Sequence, residues 1–176
     1  MLKKSLAVLC TTLGLSGCAG VSPDVYRNQT PTLDLATYFN GPLTAWGYFA
    51  DRSGKVKRRF TVHMTGEWRG NEGVLTENFA WSDGEKSQRI WRITKLDAHR
   101  YVGRADDVKG EATGTAYGNA LQWKYTLLLP VDGKTYEVQF DDWMYQMDDT
   151  TMLNKSEMRK FGFKLGEIVI SFRKNP

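Results

Sequence analysis

Two pairs of adjacent carboxylates are the groups in this sequence best suited to chemistry. Asp106-Asp107 precedes a predicted turn, and Asp141-Asp142 lies in the run Phe140-Asp-Asp-Trp-Met-Tyr145. Two carboxylates that face each other can perform general acid–base catalysis or bind a hard cation. Adjacent residues of a strand point to opposite faces, however, so only one member of each pair can enter a shared site. The pattern therefore favours ion pairs or hydrogen bonds to neighbouring strands over catalysis.

Other signals for catalysis are weak. The sequence contains two histidines, His63 on the polar face of a predicted strand and His99 in a predicted turn. Neither has the spacing of a metal-ligand pair, and the chain has no Gly-x-Ser-x-Gly motif and no glycine-rich phosphate loop. We therefore predict a protein that is not an enzyme and that uses neither a cofactor nor a metal ion.

The start of the chain carries an address signal. Residues 15–18 read Leu-Ser-Gly-Cys and follow Lys3-Lys4 and an apolar run too short to span a bilayer. This order resembles the lipobox of bacterial lipoproteins, and the resemblance implies cleavage before Cys18 and acylation of Cys18. Several acyl chains on one residue form a stable anchor, since each buried methylene contributes about 0.8 kcal/mol. Alanine at position 19, rather than aspartate, implies sorting to the outer membrane by the same analogy.

Cysteine and charge content agree with a periplasmic address. Cys10 lies in the segment that would be removed, so the mature chain keeps no thiol for a disulfide, a metal site or a nucleophile. The basic run Lys55–Arg59 is of a kind that binds nucleic acid, but a periplasmic lipoprotein has no access to nucleic acid. We interpret this run as a solvated strand edge or as a patch that faces anionic head groups. We expect a monomer with no nucleic-acid partner.

The chain divides into three predicted parts. Residues 1–17 are the signal peptide, residues 18–31 are a lipidated N-terminus with a flexible tether, and residues 32–176 are a single domain. At the start of this domain, Leu33–Asn40 is predicted to form either one helical turn or an extended segment. The Gly41-Pro42 pair marks the end of this segment.

Apolar and polar residues alternate in short runs from about residue 43 onward, and turn signals separate the runs. Such alternation predicts strands that are half buried against a core. One expected inward face consists of Leu121, Trp123, Tyr125, Leu127 and Leu129. Lys155–Lys160 is the one segment of this region for which the sequence predicts a short helix.

Strands in hairpin order without crossover helices predict an all-β fold with at most one short helix. An antiparallel up-and-down meander of about 8–10 strands closes into a barrel, because closure removes exposed edges. We therefore expect a lipocalin-like (calycin-type) barrel, and a two-sheet sandwich is the alternative. In lipocalins a tryptophan of the first strand packs against an arginine of the last, and Trp46 and Arg173 resemble this pair in position only.

Glu77, Arg92 and Asp142 each fall on a strand face that is otherwise apolar, and we expect them to point inward. An unpaired buried charge is very costly. These groups therefore indicate either a partly wet cavity that binds an amphiphile or a filled core in which they pair with one another. In the first case an arginine would bind an anionic head group. The sequence leaves both interpretations open.

Aromatic side chains are abundant, with 6 Trp, 8 Tyr and 8 Phe. Most should belong to the core, because large aromatic residues dominate the cores of small β domains, while a few should line a pocket. The candidate ligand-binding residues are Trp46, Trp68, Trp81, Glu77, Arg92, Trp123, Tyr125 and Asp142.

Five segments resemble a family of Gram-negative lipoproteins that is classed as a domain of unknown function. They are Tyr38–Gly47, Asp51–Gly54, Arg59–Val62, Gly103–Val108 and Phe140–Tyr145. The resemblance implies a lipobox and a periplasmic β domain, and it supplies no activity and no site residues.

We therefore predict an outer-membrane lipoprotein that faces the periplasm and binds a lipid or another amphiphile. The tail would lie among the aromatic side chains, with the head group near Arg92 or Arg89 at the mouth of the barrel. The alternative is a structural or assembly accessory protein of the envelope that acts through its outer surface. A third hypothesis is a hydrolase or isomerase that acts on an envelope lipid through Asp142 and Asp107.

Overall fold

Ten antiparallel strands follow one another in chain order and close into a barrel in the computed structural model, which describes residues 20–175. Each strand pairs with the next, and the last pairs with the first from Leu43–Lys174 to Asp51–Gly166. The strands are β1 (Gly41–Asp51), β2 (Val56–Arg69), β3 (Glu72–Trp81), β4 (Lys86–Lys95), β5 (Arg100–Arg104), β6 (Ala112–Tyr117), β7 (Ala120–Val131), β8 (Lys134–Gln146), β9 (Thr151–Lys160) and β10 (Phe163–Lys174). The prediction of an all-β, lipocalin-like up-and-down barrel is confirmed.

The alternation of residue types decides which side chains fill the barrel. On β7, Leu121 and Trp123 are buried inside while Lys124 is exposed outside. The Trp123 indole lies against Gly103 of β5 and Gly114 of β6, where an added Cβ would lie 2.5 Å from a ring atom. Larger residues at these two positions would displace the indole, so the glycines fix Trp123 in the core.

The two ends of the barrel differ. The closed end contains the turns 70–71, 96–99, 118–119 and 147–150, and the open end contains 52–55, 82–85, 105–111, 132–133 and 161–162. The chain before β1 covers the closed end with a 3-10 turn (Pro23–Tyr26) and a short helix α1 (Leu35–Tyr38). The Leu33 N–H donates a hydrogen bond of 2.8 Å to the carbonyl of Gly118 in one of these turns.

Helix α1 is positioned by its cap and by its buried face. Asp34 accepts a hydrogen bond of 3.0 Å from the Thr37 N–H and forms an ion pair with Lys95 of β4. Leu35 and Phe39 are buried, and the Phe39 ring meets the edge of Phe172 at 5.8 Å between centroids. The helix therefore forms the floor of the barrel.

Part of the segment that we predicted to be a tether lies against the barrel. The ring of Tyr26 lies 5.5 Å from that of Tyr145 and 6.0 Å from that of Trp143, between centroids. The domain boundary at residue 32 stays a prediction, and the proposed signal peptide and Cys18 lie outside the described residues. Among residues 20–175, neither helix has the length and apolar character that a membrane crossing requires.

The prediction of a helix at Lys155–Lys160 is wrong, because these residues belong to strand β9. Their inward positions hold Ser156 and Met158, and the preceding inward position holds Asn154. Two polar residues on the buried face remove the apolar alternation that would have indicated a strand. The sequence predicts at most one short helix, and the described residues contain one short α-helix, Leu35–Tyr38, and one 3-10 turn, Pro23–Tyr26.

Candidate binding cavity

A cavity of about 630 Å³ occupies the interior of the barrel. Leu35, Phe39 and Phe172 line its floor at the closed end. Phe49, Trp81 and other aromatic or aliphatic residues line it near the open end. A volume of this size is typical of a ligand pocket and far exceeds the small voids of a packed core.

Polar side chains form a belt at the middle of the cavity, between the apolar floor and a mouth that is lined by aromatic and aliphatic side chains and by Arg58, Glu85, Ser87 and Gln88. Five of its members carry titratable groups and come from five different elements, namely β3, β4, the 105–111 loop, β7 and β8. The polar belt consists of Glu77, Arg89, Asp107, Tyr125, Asp142, Asn154 and Ser156.

The 105–111 loop brings Asp107 into this belt. Strands β5 and β6 are short, so the loop completes the wall beside β7 in their place. The Leu128 N–H donates to the carbonyl of Asp107 at 2.7 Å, and the Lys109 N–H donates to that of Thr126 at 2.9 Å. The carboxylate of Asp107 is thereby held where it can reach the inner face of β4.

Arg89 and Asp107 form an ion pair in the cavity wall. The Nε and Nη2 atoms of Arg89 donate to Oδ2 of Asp107 at 2.9 and 2.6 Å. Both hydrogen bonds reach the same oxygen, and Oδ1 of Asp107 is buried without a hydrogen-bond partner among the described residues. Charge-assisted hydrogen bonds of this length are strong, so the guanidinium is engaged before any ligand binds.

Two further carboxyl groups face the cavity. Glu77 lies directly opposite Arg89 in the β3–β4 register, and Asp142 lies opposite Ser156 in the β8–β9 register. Burial raises the pKa of Glu77 to about 7, although Arg89 lowers it and the neighbouring carboxyl groups raise it further. Burial also raises the pKa of Asp142 to about 7, against the lowering influence of Ser156 and Arg89. Both groups therefore exchange a proton near neutral pH.

Tyr125 lies among these groups. Burial, together with the nearby Asp142 carboxyl, holds the pKa of the Tyr125 hydroxyl well above its ordinary value of 10. Its ring stacks on Phe140 at 4.9 Å and meets the edge of Trp91 at 5.5 Å, between centroids. The phenol is thus a fixed, neutral group in the cavity wall.

The open end carries exposed apolar side chains at the tips of two neighbouring hairpins. Phe161 is 85% and Phe163 is 76% exposed in the β9–β10 hairpin. Val131 and Tyr136, in the adjacent β7–β8 hairpin, are also exposed. Lys160 lies over the Tyr136 ring at 4.0 Å from its centroid. We refer to this surface, residues 131–136 and 160–165, as the rim.

The structure brings together five of the eight predicted ligand-binding residues. Those that line the cavity are Glu77, Trp81, Trp123, Tyr125 and Asp142. Trp46 is 48% exposed on the outer wall, and Trp68 packs at the closed end against Gly73. The prediction that Arg92 points inward is wrong, because Arg92 is exposed and its neighbour Trp91 occupies the inner face of β4.

Sequence reasoning missed several members of the polar belt. Asn154 and Ser156 were hidden by the mistaken helix, and Arg89 was expected at the mouth rather than at mid-barrel. Asp107 could not be paired with Arg89 from sequence, because the two are joined only through the path of the 105–111 loop. Within residues 20–175, no group of three or more His, Cys, Asp or Glu side chains is arranged to hold a metal ion.

The fold and the cavity define a class of protein, the closed antiparallel barrels with an interior pocket open at one end. The sequence matches the family described as protein of unknown function (DUF3833) over residues 12–174. The chain belongs to this family.

A comparison with solved structures gives similar chains, among them the following two. One is a protein of unknown function from the DUF3598 family of Nostoc punctiforme, at 7% identity and a TM-score of 0.57, with 84% of this chain and 51% of that chain covered. The chain therefore spans about half the length of that protein. The other is EF1p2_mFAP2b bound to DFHBI, at 8% identity and a TM-score of 0.44, with 81% of this chain and 100% of that chain covered. A comparison with curated proteins gives no match.

Proposed function

We propose that this protein binds a lipid or another amphiphile in its barrel, and that an acyl anchor on Cys18 holds it at the periplasmic side of the outer membrane. The observation that supports binding is the cavity of about 630 Å³, with an apolar floor, a polar belt and a mouth of aromatic and aliphatic side chains beside the paired Arg58 and Glu85. Amphiphiles carry the same combination of a large apolar part and a few polar atoms, and pockets that bind them are lined accordingly.

The closed floor of the barrel supports a protein that holds a ligand rather than one that lets a ligand pass through the barrel. Leu35 and Phe39 close one end of the barrel, so within residues 20–175 the cavity opens to solvent at the other end. The anchor is supported by the order of the positive start, the apolar run and Leu-Ser-Gly-Cys in residues 1–18. An acylated Cys18 would keep the binding domain close to a membrane, which is a source of amphiphiles.

The proposal is tested on the chain from residue 18 onward with Cys18→Ser, exported to a bacterial periplasm and purified without detergent. Native mass spectrometry should show a bound mass that unfolding releases. The emptied protein should bind the neutral apolar dye N-phenyl-1-naphthylamine, with enhanced fluorescence.

Ser156→Phe should fill part of the cavity and weaken dye binding by at least about tenfold, a loss of roughly 1.4 kcal/mol. Leu153→Phe adds the same ring to an exposed position of β9 and should leave binding unchanged. Thermal unfolding of both variants shows whether each is folded. An empty mass together with no dye binding would overturn the proposal and favour an accessory protein that acts through its outer surface.

A further inference from the structure

The charges of the polar belt do not balance. Arg89 is its single cation, and Glu77, Asp107 and Asp142 are carboxyl groups that face the same cavity. Nearer the open end, the cavity is also lined by Arg58 and Glu85, which form an ion pair with each other at 2.9 Å. Arg89 is already paired with Asp107 through two hydrogen bonds. Glu77 and Asp142 therefore face the cavity without a cation of their own in the belt.

Two buried polar atoms of the belt lack a hydrogen-bond partner among the described residues, and both are acceptors. Oδ1 of Asp142 and Oδ1 of Asp107 are both buried and lack a hydrogen-bond partner among residues 20–175, and the hydroxyl groups of Ser156 and Tyr125 lie near the Asp142 carboxyl group. Asp142 itself is only 6% exposed and lines the cavity. A buried polar atom without a partner is costly, so a ligand that donates hydrogen bonds to these oxygens would remove that cost.

We propose that the cavity takes an amphiphile whose polar group is a hydrogen-bond donor, above all a protonated amine, and that this group binds to Asp142 in the polar belt. This inference rests on the proposed function and narrows its ligand class. It replaces the expectation of an anionic head group held by Arg92 or Arg89, because Arg92 lies outside and Arg89 is neutralised by Asp107. A buried anion would instead face two further carboxyl groups, and like charges repel strongly at low dielectric.

The layout of the cavity also sets the orientation of the ligand. Polar atoms lie at mid-barrel, and the wall between them and the solvent is lined by Phe49, Phe79 and Trp81 together with the paired Arg58 and Glu85. The amine would therefore enter first, and the apolar part would lie against the aromatic mouth. Because the mouth is open, the apolar chain of a ligand can project from it whatever its length. We therefore expect ligand specificity to depend on the polar group.

The test uses ligands that share one twelve-carbon chain: dodecylamine, dodecanol and laurate. Each competes with N-phenyl-1-naphthylamine at pH 8, where the amine is protonated and laurate is ionised. Dodecylamine should bind at least about tenfold more tightly than laurate, with dodecanol between them, because only the amine forms charge-assisted hydrogen bonds to a carboxylate.

Asp142→Asn should reduce the preference for the amine to about threefold or less, since the carboxylate is then absent. Asp141→Asn is the matched control, because Asp141 is the next residue on β8 and bonds outside the barrel to Gln122. Laurate binding as tightly as the amine, or equal effects of the two variants, would overturn the inference while the proposed function stands. Failure of all three ligands and of the dye would instead overturn the proposed function.

The rim supports a second inference on independent observations. Phe161 adopts a φ of 51° in the β9–β10 turn, a backbone conformation that residues other than Gly, Asn and Asp rarely adopt. A bulky, almost fully exposed aromatic residue at such a position does not serve the hairpin itself. Exposed apolar side chains grouped in this way mark a contact surface.

Several cations lie beside these exposed rings. Lys160 and Lys164 flank Phe161 and Phe163, although Lys164 is paired with Glu167 at 2.9 Å. Lys134 lies in the adjacent hairpin tip, next to Asp132. The β1–β2 turn, next to β10 around the barrel, adds Arg52 and Lys55. Aromatic residues at the level of the head groups, with lysines beside anionic lipids, are the combination that binds a membrane surface.

We infer that the rim docks on the surface of a bilayer that contains anionic phospholipid. Because residues 23–40 cover the opposite end of the barrel, this bilayer would be a different surface from the one that holds an acyl anchor on Cys18. The Cys18→Ser chain should co-sediment with vesicles of phosphatidylcholine and phosphatidylglycerol and bind vesicles of phosphatidylcholine alone at least about tenfold more weakly. The double variant Phe161→Ser/Phe163→Ser should lose at least about tenfold in affinity for the mixed vesicles, because it lacks the inserted rings.

Trp46→Ser removes an exposed aromatic residue from the barrel wall rather than the rim, and it should bind the mixed vesicles like the parent protein. Equal losses in the two variants would overturn the inference, because the rim would then have no special role. Absence of vesicle binding, or binding that does not depend on phosphatidylglycerol, would also overturn it.

Discussion

Gly66→Val is expected to lower the free energy of unfolding by at least about 3 kcal/mol, because the valine side chain would occupy the space in which Phe39 of the N-terminal segment packs. Gly66 lies on the inner face of β2, and a Cβ there would overlap the carbonyl oxygen of Phe39 and lie 2.8 Å from its carbon. These are backbone atoms that cannot rotate away. The segment would have to move off the closed end, and Leu35 and Phe39 would lose their burial.

Urea denaturation of the Cys18→Ser chain measures this effect. The matched control is Thr65→Val, which introduces the same side chain at the adjacent, exposed position of β2 and should change stability by less than about 0.5 kcal/mol. Limited proteolysis should cut residues 20–40 in the Gly66→Val variant before it cuts the strands. If Gly66→Val were as stable as Thr65→Val, the close packing of the Phe39 backbone against Gly66 would be contradicted.

The sequence could predict the barrel because most of its strands carry a single consistent alternation. The inner face expected on β7 is the observed one, and Glu77 on β3 and Asp142 on β8 point inward as predicted. Each of these charged residues stands between apolar neighbours at a spacing of two. Their inward direction therefore follows from backbone geometry alone.

Strand β4 shows where this reasoning ends. Its two faces both alternate apolar and charged residues, with Ile90 beside Arg92 on one and Trp91 beside Arg89 on the other. The choice between them depends on which arginine finds an internal partner. That partner is Asp107, and its position is set by the 105–111 loop, which carries no periodic signal.

The candidate site was predictable only in part for the same reason. Individual cavity residues such as Tyr125 follow from alternation, but the charge balance of the belt depends on groups from five elements meeting at one level of the barrel. Register and loop path set that meeting, and sequence patterns specify neither. The sequence predicts an anionic ligand head group because it places an arginine in the cavity without an acidic partner. In the structure, Arg89 has such a partner in Asp107.

The same charge balance makes the stability of the empty protein depend on pH. The pKa values of Glu77 and Asp142, both about 7 in the folded protein, exceed the values of 4.5 and 3.8 that apply to exposed groups. Below about pH 4 the carboxyl groups of Glu77 and Asp142 are protonated in both the folded and the unfolded protein, and their stabilising contribution is then complete. As the pH rises through 7 the unfolded chain releases its protons first, so stability is lost. Each group contributes on the order of 3 kcal/mol, and coupling between them makes the joint effect smaller than the sum.

The double variant Glu77→Gln/Asp142→Asn should therefore be more stable than the parent at pH 8 by a few kcal/mol, of the order of one such contribution. The advantage should shrink steadily toward pH 5, where the parent carboxyl groups are protonated. Urea denaturation of both proteins at pH 5, 6, 7 and 8 measures the difference, and Asp141→Asn, on the outer face of β8, should follow the parent. Parallel curves for the parent and the double variant would show that these carboxyl groups do not carry raised pKa values. A difference that grows with pH would mean that the empty cavity holds uncompensated negative charge at neutral pH, which is the property that would draw in a cationic amphiphile.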